Sequence, residues 1–128
     1  MIDMGVEAGA ISMRCCARAP GIARSWVGGV FSEQKLGDDY TARTVVTELV
    51  TNVYKHTDTE VVLVRLLIED GRPVVEVEDG SDVVPVVGGG DGTVESGRGL
   101  LMLSMLVQDW GVRVLPGGGK VTWARLGE

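Results

Sequence analysis

The stretch Glu48-Leu49-Val50-Thr51-Asn52-Val53-Tyr54-Lys55-His56-Thr57 decides how this chain is read. At about 100° per residue, Ala42, Val46, Leu49, Val50 and Val53 fall on one arc, the apolar stripe of an amphipathic helix. Asp38 and Asp39 precede the first apolar positions as N-cap residues do, so the spacing predicts a helix from there to Lys55 or His56. Arg43, Thr47, Thr51 and Tyr54 occupy the arc that faces water. Glu48, Asn52 and Lys55 stand beside the stripe, one above the other, at spacings of four and three. A carboxylate, an amide and a cation therefore form a row along a flank next to core. Asparagine is a poor helix former and needs partners when buried, so this row asks for a reason beyond solubility. His56, the only histidine, lies at the edge of the row and reads as an end-of-helix residue.

Working outward from this helix, Pro20 is pre-shaped to open an earlier one, with Ile22, Trp26, Val30 and Phe31 as its stripe and Gly37 as its end. Trp26 and Phe31 suit either core or a contact surface. Before it, Ile11 to Arg18 alternates as a strand, and residues 1–10 read as a flexible tail. After the central helix, Glu60 to Glu69 places Val62, Val64, Leu66 and Ile68 on one face, Asp70-Gly71 makes a tight turn, and Val74 to Glu78 returns. Asp79-Gly80-Ser81-Asp82 breaks that pattern, and the glycine-rich segment to Ser96 reads as a mobile loop. Ser96-Gly97-Arg98-Gly99 leads into Leu100 to Val107, apolar almost all round and read as a buried helix. Trp110 to Leu115 and Lys120 to Leu126 form a last hairpin across Pro116-Gly117-Gly118-Gly119. Strand, two helices, hairpin, loop, helix and hairpin predict an α+β two-layer sandwich over residues 11–128, with a mostly antiparallel sheet and three helices on one face.

Composition narrows the function. With 128 residues and 45% hydrophobic content the chain suits one folded domain, while 5% aromatic content leaves the core to Val, Leu and Met. A net charge of −6 and the lack of a Lys/Arg cluster argue against direct nucleic-acid binding. The two cysteines, Cys15 and Cys16, are adjacent, and a bridge between strand neighbours is strained. They read as reduced thiols. With no signal-peptide pattern and no membrane-length apolar run, a cytoplasmic location is expected.

Three pieces carry candidate chemistry. Gly97-Arg98-Gly99 before a helix offers free N–H groups and a positive dipole end to an anion such as phosphate. On its own the same pattern is an ordinary turn. Asp79 at a strand end can accept a hydrogen bond from an exocyclic amine, and Gly80 leaves room for a flat ring. In the central helix, Glu48 can act as a general base, and Asn52 can hold a hydrated Mg²⁺ ion.

Taken in order, ELVTNVYKH, VEVEDGS, ESGRGLLMLSMLVQDWGV and GGGKVTW resemble the GHKL ATPase family. Within that family the chain looks like the anti-sigma-factor serine kinases of the RsbW and SpoIIAB type. The resemblance runs from about Arg18 to Leu126 and implies a Bergerat-type ATP-binding fold. It implies that Glu48 activates the attacking hydroxyl, that Asn52 coordinates Mg²⁺ between phosphates, and that Asp79 with Gly80 receives adenine. It further implies that Gly97, Gly99 and Leu100 cradle phosphate beneath a lid from Val83 to Ser96. Lys55 and Arg98 are nearby cations placed to touch phosphate. Two features depart from the family pattern: Asp79-Gly80-Ser81 stands for Asp-x-Gly, and Thr122 follows Lys120 by two positions instead of one.

The implied activity is phosphorylation by ATP of a serine on an antagonist protein, sequestration of a sigma factor, or both, with a homodimer as the possible assembly. The alternative is a non-catalytic, nucleotide-dependent protein-binding module.

Overall fold

A computed structural model describes residues 5–81 and 104–127. In chain order these form β1 (Val6–Arg14), α1 (Ala19–Gln34), α2 (Tyr40–His56), β2 (Val61–Glu69), β3 (Arg72–Asp79), β4 (Asp109–Val114) and β5 (Lys120–Arg125). The strands make one sheet in the order β1-β2-β3-β5-β4, and each ladder is antiparallel. The class is α+β, as the element order predicts.

The core lies between the two helices and one face of the sheet. Val27, Val30 and Phe31 of α1 and Ala42, Val45, Val46, Leu49, Val50 and Val53 of α2 are buried with Val62, Val64, Leu66, Val75 and Val77. Strand alternation sends these sheet residues to one side, and the apolar stripe of α2 meets them. Val45, outside the stripe read from the sequence, is also fully buried. Phe31 belongs to the core, and Trp26 packs against it, lying over Gly9 of β1, where a Cβ would come within 3.1 Å of its ring.

Local chemistry explains the boundaries. Pro20 sits in the first turn of α1. The helix stops at Lys35, in the left-handed region with φ 54°, two residues ahead of the expected Gly37, and the Leu36 N–H closes it on Phe31 O at 3.0 Å. Asp39 occupies the N-cap of α2, but it is Asp38 whose Oδ1 accepts from the Tyr40 N–H at 2.8 Å. Asp70 and Gly71 both take positive φ, 52° and 78°, the geometry that turns β2 into β3 in two residues.

Two expectations need correction. The first strand runs Val6–Arg14 rather than Ile11 to Arg18, so residues 6–10 are sheet and not tail. Its limits follow its partner: Val6 pairs with Ile68 and Arg14 with Val61, where β2 begins. Beyond that, Cys16 O accepts from the Ala19 N–H and the chain turns into α1. The segment read as a third helix lies mostly outside the described residues. Its described end, Ser104 to Leu106, is helical, but Ser104 and Met105 are exposed, so all-round burial does not hold there. Among the described residues no helix is long and apolar enough to cross a membrane.

Candidate functional site

The fold gathers three chain segments at one end of the helix–sheet interface. Residues Thr57 to Glu60 join the end of α2 directly to the start of β2. Leu63 near that start pairs with Glu78 near the end of β3, and Asp79 pairs with Lys120 at the start of β5. The last turns of α2, the end of β3 and the start of β5 are thereby neighbours. Thr59 fastens the first connection, its Oγ1 accepting from the Gly80 N–H at 3.1 Å.

Asp79 is the centre of this end. It is 4% exposed and lies on the helix-facing side of the sheet with Val75 and Val77. Its Oδ1 accepts from the Ser81 N–H at 2.7 Å and from Lys120 Nζ at 3.0 Å. Lys120, itself 3% exposed, also donates to Ser81 O at 3.3 Å. The turn Asp79-Gly80-Ser81 is thus tied at each residue. Asp79 Oδ2, by contrast, is buried and accepts nothing. A buried polar atom without a partner costs about 1–3 kcal/mol, so a donor from water or from a ligand is favoured there.

Asn52 shows the same signature. The residue is half-buried, yet its Nδ2 is closed to solvent and has no partner. Either end of a carboxamide can occupy that position, offering a donor or an acceptor oxygen. Glu48, one turn earlier, is half-buried and has no hydrogen-bond or ion-pair partner among the described residues. Lys55 and His56 are exposed at the helix end.

Close approach of β5 to Asp79 depends on Gly119. It has φ 85°, and a Cβ there would collide with the Asp79 carbonyl oxygen. Thr122, buried at 5% exposure, follows on the same side of β5. Cys15, beyond the end of β1, is within electrostatic reach. Burial first, then the Cys16 thiol and the Asp79 carboxylate, push its thiol above the ordinary value.

Of the residues singled out in the sequence, Asn52, Asp79 and Gly80 fall at this end, with Glu48 and Lys55 on neighbouring turns of α2. Gly97, Arg98, Gly99, Leu100 and the lid from Val83 to Ser96 lie outside the described residues. An open depression of ≈ 550 Å³ adjoins the turn, lined by Asp58, Thr59, Glu60, Val61, Gly80 and Ser81. Glu48, Asn52 and Asp79 are not among its lining residues.

Sequence reasoning missed Lys120 and Thr59. Lysine is almost never fully buried unless paired, so Lys120 reads from sequence as a surface residue. Its place in the GGGKVTW stretch was the signal the sequence offered, without its burial or its partner. Among the described residues no group of three or more His, Cys, Asp or Glu side chains could hold a metal ion. An amide-held, phosphate-bridged Mg²⁺ does not require one. The unsatisfied atoms of Asn52 and Asp79 leave hydrogen-bonding capacity that a ligand would meet. No protein-family model matches the chain, and comparison with characterised proteins finds no significant relative.

Proposed function

We propose that this chain is an ATP-binding regulator of the GHKL type, an anti-sigma factor that phosphorylates a serine of an antagonist protein, sequesters a sigma factor, or does both. The observation that carries the reading is the pair of buried, unpartnered atoms on Asn52 and Asp79, on elements that end side by side. Two helices on one face of an antiparallel sheet support the finer expectation of a Bergerat-type sandwich.

Each residue has a defined task. Asp79 Oδ2 accepts from the adenine amine, while Gly80 leaves the ring unobstructed. The Asn52 amide oxygen holds Mg²⁺. Glu48, one turn away, orients the acceptor serine and takes its proton. Bound Mg-ATP supplies the γ-phosphoryl group and spreads its negative charge. Lys55 stands on the next turn toward the phosphates, and the resemblance assigns Gly97, Arg98, Gly99 and Leu100, outside the described residues, to the phosphate.

Calorimetry with ATP, with and without Mg²⁺, tests this on the wild type and on Asn52→Ala. Metal-dependent binding that the substitution removes is the expected result. Absence of binding in the wild type refutes the reading.

One observation favours the alternative, a protein-binding module without chemistry. The Lys120 ammonium already donates to Asp79 as a base amine would, which lowers the demand for a nucleotide. Incubation with labelled ATP and candidate antagonists separates the two, since only the kinase labels a partner.

A further inference from the structure

Lys120 has no role in the reading above beyond pairing with Asp79, yet its surroundings leave it unfinished. A lysine ammonium carries three N–H donors. Two are committed, to Asp79 Oδ1 at 3.0 Å and to Ser81 O at 3.3 Å, and the third has no partner among the described residues. The side chain is 4% exposed, so water does not serve it freely. Beside it stands Asp79 Oδ2, an acceptor with no donor. One buried edge thus presents a single open acceptor next to a single open donor, both held rigidly by the tied turn.

We propose that Lys120 reads the base of the bound nucleotide, donating its remaining N–H to ring N1 of a 6-aminopurine while Asp79 Oδ2 accepts from the exocyclic amine. The inference rests on the nucleotide reading and deepens it. Adenine offers one donor beside one acceptor on this edge and matches the pair. Guanine offers adjacent N1–H and N2–H donors, which call for both oxygens of a carboxylate. Asp79 Oδ1 has both lone pairs filled, by Ser81 N–H and Lys120, so guanine leaves a donor unmet. Lys120 is therefore a specificity-determining residue that also shapes the carboxylate by occupying one oxygen.

The test measures Mg²⁺-dependent binding of ATP, 1-deaza-ATP, purine riboside triphosphate and GTP to the full chain. 1-Deaza-ATP replaces ring N1 by C–H, and purine riboside triphosphate lacks the 6-amino group. A hydrogen bond from a charged donor predicts that the wild type prefers ATP to 1-deaza-ATP by roughly ten- to a hundredfold. In Lys120→Met that ratio falls toward one, while in Asp79→Asn it persists and the preference for ATP over purine riboside triphosphate falls instead. Lys120→Arg, which keeps the charge and its donors, retains part of the N1 preference. A merely structural ion pair lowers affinity for all four ligands together and leaves the ratios unchanged, which overturns the proposal. Equal binding of ATP and 1-deaza-ATP by the wild type overturns it without any variant, should Lys120→Met fail to fold. Tighter binding of GTP than of ATP also overturns it. Failure of the wild type to bind any of the four refutes the nucleotide reading itself.

Discussion

Replacing Asn52 by leucine is expected to make this protein more stable and unable to bind ATP. The reasoning starts from Asn52 Nδ2, buried without a partner. Leaving such a group unpaired costs about 1–3 kcal/mol, and leucine removes the group while retaining a side chain of adequate length. Asparagine is also a poorer helix former than leucine by a few tenths of a kcal/mol, and position 52 lies inside α2. The two effects have the same sign, so stabilisation of about 1–3 kcal/mol is expected. For a domain of this size each kcal/mol moves the midpoint by roughly 3–5 °C, so Tm rises by roughly 3–15 °C. Urea titration reads the change as a higher midpoint at unchanged slope. Thr51→Leu, on the neighbouring half-exposed position, is the control for added hydrophobicity and is expected within about 0.5 kcal/mol of wild type. ATP binding in Asn52→Leu is lost with the amide oxygen. A variant that is less stable than wild type, yet binds ATP normally, refutes the reasoning and makes Asn52 a structural residue.

The other predictions concern the same end of the molecule. Lys120→Met leaves the buried Asp79 carboxylate uncompensated and costs about 3–5 kcal/mol, whereas adding Asp79→Asn restores much of it; strictly additive losses in a urea double-mutant cycle would show that the pair is not coupled. Gly119→Ala forces a side chain onto the Asp79 carbonyl at positive φ and lowers stability by more than about 1 kcal/mol by thermal melting, with Gly117→Ala, which meets no neighbour, as the contrast. Glu48→Ala abolishes transfer of label to an antagonist and changes ATP affinity by less than about twofold, since the carboxylate acts on the acceptor hydroxyl. Because burial and the nearby Asp79 charge hold the Cys15 thiol protonated to higher pH, its alkylation rate begins to rise at higher pH than that of an ordinary cysteine, measured by mass spectrometry of quenched samples.

What the chain determined by itself is what short-range geometry dictates. The 3.6-residue spacing of Ala42, Val46, Leu49, Val50 and Val53 places α2 and its buried stripe, since each turn of a helix depends only on its neighbours. Asp70-Gly71 closes the β2–β3 hairpin because those residue types tolerate the left-handed conformations the turn requires. The flank carrying Glu48 and Asn52 follows from the same periodicity. The tertiary structure decided what pairing across the chain decides. The ends of β1 are set by the length of β2, so the alternation of Ile11 to Arg18 misplaced them. Lys120 becomes a buried partner of Asp79 only because β5 adds to the sheet beside β3, joining residues 41 positions apart. No local pattern can announce a lysine whose burial is compensated by a carboxylate so distant in sequence, because the energy that holds it there exists only once the strands have met.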